Sequence, residues 1–133
     1  MSRRTRALRI ALVVALGACG ETTAPASVQL TVQLVNAGSS DRAMLLQLAG
    51  SDTSATIDTV MAAPGGAYQL FAQRRGSNLW RVIVTGNLVN GVVAELVVPR
   101  KASASLYGGT VLDVADSSFA ELPPGTRALT VAP

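Results

Sequence analysis

From residue 27 onward, apolar and polar positions alternate in short runs. Val28, Leu30, Val32 and Leu34 are separated by Gln29, Thr31 and Gln33, the spacing of a half-buried strand. Residues 36–41, Asn-Ala-Gly-Ser-Ser-Asp, form a turn cluster. Residues 43–49 follow, ended by the polar stretch 50–54. Thr56, Ile57, Thr59 and Val60 are β-branched and predict a further strand, which Pro64-Gly65-Gly66 terminates. In residues 67–73, Tyr68, Leu70 and Ala72 share one side, and Gln69, Phe71 and Gln73 the other. Residues 74–78 read as a hairpin connection. In residues 79–85, Trp80, Val82 and Val84 lie on one face, opposite Arg81, Ile83 and Thr85.

Asn90-Gly91 is the strongest short hairpin signal in the chain. After it, Val92, Ala94, Leu96 and Val98 alternate with Val93, Glu95 and Val97 until Pro99. Residues 104–107 and 110–114 flank Gly108-Gly109, as two strands or as one strand with a bulge. Pro123-Pro124-Gly125 precedes a last strand at 127–131. The helix candidates, 43–49 and 117–122, are short and lack caps. Seven to nine short strands with regular turn signals predict an all-β sandwich or barrel.

The first 26 residues follow a different pattern. Arg3, Arg4, Arg6 and Arg9 precede the apolar run 10–16, which is followed by Gly17, Ala18 and Cys19. A basic head, a short apolar stretch and a small-residue exit make up an export signal. The run is too short for a span, which needs about 20 apolar residues. Leu16-Gly17-Ala18-Cys19 resembles the lipobox of bacterial lipoproteins, with an aliphatic residue, two small residues and a cysteine. The resemblance implies cleavage before Cys19 and a diacylglyceryl thioether on its sulfur. Cys19 is the chain's one cysteine, so the thiol has no disulfide role within the chain. The expected organisation is a signal peptide at 1–18, a lipidated Cys19 with a flexible tether through residue 26, and a folded domain at 27–133. The tether, Gly-Glu-Thr-Thr-Ala-Pro-Ala over residues 20–26, reaches at most about 25 Å when extended. By the same resemblance, Gly rather than Asp at position 20 favours the outer membrane.

Removal of the leader changes the charge. Of 133 residues, eleven are Lys or Arg and eight are Asp or Glu. Loss of the four leader arginines leaves seven basic against eight acidic side chains. The basic character that would point to nucleic acid therefore belongs to the leader. Aromatic residues make up 4% of the chain, too few for a base-stacking platform.

The order of the apolar runs carries a second resemblance. Residues 28–38 (Val-Gln-Leu-Thr-Val-Gln-Leu-Val-Asn-Ala-Gly), 44–48, 80–84, 91–99 and 111–115 resemble the cohesin-type and related immunoglobulin-like β-sandwiches of bacterial surface proteins. The implied fold is a single immunoglobulin-like or cohesin-like β-sandwich. In that group cohesins bind dockerin modules and relatives bind polysaccharide. No partner-recognition motif matches residue by residue.

The residues offer little catalytic chemistry. With no histidine in the chain, a Ser-His-Asp or Cys-His triad is impossible. Asp113, Asp116, Ser117 and Glu121 form a loose polar group, but a calcium loop of the Asp-x-Asp-x-Asp-Gly type is missing. The acids are expected to cap turns, as are Asp52 and Asp58. Gly65-Gly66 and Gly108-Gly109 lack the context of a phosphate loop. No catalytic residue, cofactor or metal ligand is expected. Arg74, Arg75 and Trp80, around one hairpin, are the candidate contact patch. The function expected is an exported, lipid-anchored, non-enzymatic module that binds a protein or polysaccharide of the cell envelope. A carbohydrate-binding module is the alternative and predicts coplanar exposed aromatics. A small envelope enzyme is the third and predicts a pocket with two buried carboxylates.

Overall fold

A computed structural model describes residues 27–100 and 102–133. The expected signal peptide, lipidated Cys19 and tether lie outside the described residues. Among the described residues, nine strands form two antiparallel sheets packed as a sandwich. The first sheet has the order β3 (Thr59–Ala62), β6 (Gly91–Pro99), β1 (Ser27–Val35), β9 (Ala128–Ala132). The second has the order β4 (Gln69–Gly76), β5 (Leu79–Thr85), β2 (Ala43–Gly50), β7 (Tyr107–Ala115), β8 (Glu121–Leu122). The all-β sandwich expected from the pattern is therefore the fold.

The alternation explains the packing. Val32, Leu34 and Leu96 point inward from the four-stranded sheet, and Leu46, Leu48, Val82 and Val84 from the other, and all are buried. Their contact is the core, and burying each such side chain is worth about 1.5–3 kcal/mol. Gly109 is required by this packing. A Cβ there would lie 2.7 Å from Leu129 and 2.8 Å from Leu48, so the backbone approaches where no side chain fits.

Several local expectations shift. The 43–49 and 117–122 helix candidates are strand β2 and a turn followed by β8. The strand expected at 56–60 begins at Thr59, because residues 57 and 58 are held by bonds from the Ile57 amide to the Ser77 carbonyl and from the Asp58 amide to the Val97 carbonyl. Residues 104–106 form a 3₁₀ turn. Tyr107–Ala115 is one strand, and its register shift falls opposite Leu45/Leu46, away from the glycines. In β6 a shift opposite Val32/Gln33 places both Val93 and Ala94 inside and sets Val92 opposite Gln33.

Asn90-Gly91 does not make a hairpin. β5 and β6 belong to different sheets, and residues 86–90 carry the chain across the end of the sandwich with Leu88 buried beneath. Asn90 accepts a bond from the Ala37 amide (2.8 Å), and Gly91 enters β6 with φ +127. The pair serves a sheet crossing, where a positive φ is also needed.

That end of the sandwich is fastened by an ion pair. Asp41 is fully buried and binds Arg127 at both oxygens, Nε to Oδ2 and Nη2 to Oδ1, each at 2.6 Å. The Gly38 amide donates to Asp41 as well (2.7 Å). The pair ties the β1–β2 loop to the start of β9. The Arg127 hydrogen bonds hold the Asp41 carboxyl below the ordinary carboxylate range, against the opposite push of burial.

Candidate functional site: an apolar row on the outer face of the five-stranded sheet

An outward sheet face in water normally carries polar side chains. The five-stranded sheet departs from this at its centre. Phe71 on β4 lies opposite Ile83 on β5, Ile83 opposite Leu45 on β2, and Leu45 opposite Asp113 on β7. Three apolar side chains thus stand in register across three adjacent strands, and the row ends at a carboxylate. Phe71 is 62% exposed and Ile83 44% exposed; Leu45 is half-buried. The strands are about 4.8 Å apart, so the row runs about 10 Å. The next row is polar: Gln73, Arg81, Gln47 and Thr110. There Arg81 donates from Nε to Gln47 Oε1 (3.1 Å), which holds the guanidinium beside the apolar row.

A loop extends this surface beyond β7. Phe119 is 92% exposed and has φ +61. It lines one groove with Leu45, Ile83, Asp113 and Glu121. Asp116 organises the loop. Its Oδ1 accepts bonds from the Ser118 (2.8 Å) and Ala120 (3.0 Å) amides, and its own amide and carbonyl bond Ala120 and Phe119. Asp52 likewise accepts from the Ser54 and Ala55 amides, and these bonds, the Ser54 hydroxyl's first, keep its carboxyl below the usual range. Both acids do the turn-capping expected of them. Among the described residues no three His, Cys, Asp or Glu side chains group to hold a metal ion.

The proposed patch of Arg74, Arg75 and Trp80 does not form one exposed surface. Arg74 lies opposite Trp80, but the indole packs partly buried against the core and donates from Nε1 to the Ile57 carbonyl (3.2 Å). Arg74 and Arg75 are exposed on edge strand β4, with a register irregularity between Arg74 and Gly76. Charges and a bulge at a sheet edge hinder unwanted strand pairing. The other polar-tipped aromatics are also engaged: Tyr107 donates to the Thr56 carbonyl (2.7 Å), and Tyr68 accepts from the Val89 amide (3.4 Å). Tyr107 is buried, and burial pushes its hydroxyl pKa up.

Sequence reasoning missed Phe71, Ile83, Leu45 and Phe119. For the first two a signal exists: Phe71 stands between Gln69 and Gln73, and Ile83 between Arg81 and Thr85, so each is an apolar residue on a polar face.

No family model matches the chain, and no curated protein matches it. Among solved structures, a cohesin complex, that of CaDoc0917 with CaCohA2 at pH 5.5, matches with a TM-score of 0.53 and 17% identity over 73% of this chain and 82% of that one. The fold is cohesin-like. At that identity the likeness is one of fold; in this chain the order β4, β5, β2, β7 gives the apolar row a continuous sheet to stand on.

Proposed function

We propose that the chain is a lipid-anchored, non-enzymatic protein-binding module of the bacterial cell envelope. In this reading the Cys19 diacylglyceryl group holds it to a membrane, the outer one by the Gly20 criterion, and the outer face of the five-stranded sheet contacts the partner. The observation that carries the binding part is the register of Phe71, Ile83 and Leu45. An apolar row on a water-facing sheet gains only small cross-strand pair energies while exposing apolar area, which supports a role as an interaction surface. The solved neighbour, named as a complex of two proteins, supports a protein partner on this fold.

A protein fits better than a sugar. The exposed aromatics, Phe71 and Phe119, have no hydrogen-bonding tip, while Trp80, Tyr68 and Tyr107 use theirs internally. An enzyme would need convergent polar groups in a pocket. Among the described residues, Asp41 is the one buried acid, and it is bound to Arg127.

Two experiments test the proposal. Cys19→Ser in the native host should release the protein from the membrane fraction; a variant that fractionates with membranes as the parent does contradicts the anchor. In pull-downs with the full chain, a protein retained by the parent should be lost from Phe71→Ala/Ile83→Ala and kept by Thr31→Ala on the other sheet. Retention by the double variant contradicts the docking face.

A further inference from the structure

We infer that the groove between Phe119 and strands β2 and β5 takes a basic, apolar peptide segment of a partner protein, with Phe119 as the aromatic anchor and Asp113 and Glu121 as the charge that selects it. The inference rests on the protein-binding reading above and adds the chemistry of the partner.

The floor of the groove is apolar. Ala43, Leu45, Ile83 and Ala115 supply apolar surface, and Asp113, Phe119 and Glu121 stand around it. Leu45 lies opposite Asp113, and Ala115 opposite Glu121, so the two carboxylates border the apolar surface from neighbouring strands. Among the described residues neither carboxylate forms an ion pair, the Asp41–Arg127 bridge being the one present. Asp116, on the same loop, adds a third negative charge close by. The nearest cation on that side is Arg42, which lines the adjoining groove. Its guanidinium is turned to the main-chain carbonyls of Asp41 (2.9 Å) and Ser39 (3.4 Å). Arg81, also on this face, stands on β5 in the row next to Ile83 and donates from Nε to Gln47 (3.1 Å), two strands from Asp113 on β7. An apolar surface bordered by unpaired carboxylates favours an apolar segment bearing Lys or Arg, and it repels an acidic one.

Phe119 makes the groove more than a flat patch. A bulky residue at positive φ is uncommon and costs free energy in the folded state. Packing of the ring does not offset that cost, since the ring is 92% exposed. The four bonds of the 116–120 loop hold the backbone in this shape before any partner arrives. A fixed aromatic loses little freedom on binding, which is the property of an interface anchor.

Two synthetic amphipathic peptides of equal length test this, one with leucine and lysine alternating around a helix and one with glutamate in place of lysine. Fluorescence anisotropy with the full chain should show the lysine peptide binding at least tenfold more tightly. Phe119→Ala should weaken it at least tenfold. Asp113→Asn/Glu121→Gln should weaken it several-fold and flatten its salt dependence, with the fold checked by circular dichroism. Conservative Phe119→Tyr should keep most of the affinity. Equal affinity for the two peptides, or binding untouched by these substitutions, overturns the inference. So does sedimentation showing a dimer of the full chain that Phe119→Ala dissolves, since a second copy would then be the occupant. If pull-downs depend on Phe71 and Ile83 while the peptides show no charge preference, the docking face stands and this inference alone fails. If pull-downs ignore Phe71 and Ile83, the docking face falls too.

Discussion

Thr31 on β1 and Leu45 on β2 occupy comparable places, each facing outward from an inner strand of its sheet. Thr31 is flanked across the strands by Glu95 and Ala132, and its hydroxyl bonds the Ala132 carbonyl (3.3 Å). Leu45 is flanked by Ile83 and Asp113, and Phe71 continues the row. Around Thr31 the outer face of the four-stranded sheet is made of Gln29, Gln33, Thr59, Glu95 and Thr130. Most of its apolar members lie beside polar ones: Val97 between Gln29 and Thr59, Met61 opposite Glu95, and Val92 opposite Gln33. Both sheets obey the same alternation inside; outside, the four-stranded sheet pairs Val35 with Ala128 at one end, while the five-stranded sheet carries an apolar row across three strands. Since outward polarity is what water favours, this exception is the observation on which the proposed binding role rests.

Substitutions break or sharpen this contrast to different degrees. The largest losses should come from what the two faces share. Asp41→Ala leaves the Arg127 charge unpaired beside a cavity and should cost about 3–5 kcal/mol in urea unfolding. The pH dependence has a definite sign. The Asp41 carboxyl titrates lower in the fold than in the open chain, so the pair's contribution is complete above about pH 4 and is lost as pH falls through the lowered value. Asp41→Ala should therefore show a weaker acid dependence of stability than the parent. Leu48→Ala, in the common core, should cost about 3 kcal/mol.

Effects confined to one face should be smaller and of another kind. Phe71→Ala should weaken partner binding by about 2 kcal/mol while changing unfolding by no more than about 0.5 kcal/mol. Thr31→Ala should leave binding unchanged. The smallest effect should carry the opposite sign. Phe119→Gly removes a side chain from a positive-φ position and should raise stability by about 0.5 kcal/mol. A loss of stability in that variant would show the ring supporting the fold rather than the partner.

The division between the faces also explains what the sequence discloses. Strands β1, β5 and β6 were legible because each buries one side and solvates the other, which leaves a period of two, whereas the short apolar run of β2 also fits a helix. Their assignment to sheets was less so. Asn90-Gly91 has hairpin chemistry, but Leu88 needs burial across the sandwich end, and that demand acts over a distance local turn preference does not encode. Trp80 shares an alternating face with Val82 and Val84, but its indole bond to the Ile57 carbonyl depends on a loop 23 residues away. Phe71 and Ile83 sit in sequence as isolated exceptions. They become a site only through the register of β4, β5 and β2. Phe119 had no periodic context, and its exposure is set by the Asp116 bonds.

The most direct test of the docking face is site-specific photo-crosslinking in intact host cells. Benzoyl-phenylalanine placed at position 71 of the full chain should yield a discrete crosslinked protein, and the same group at position 31 should yield none above background. Adducts of equal strength from both positions, or from position 31 alone, would contradict the account.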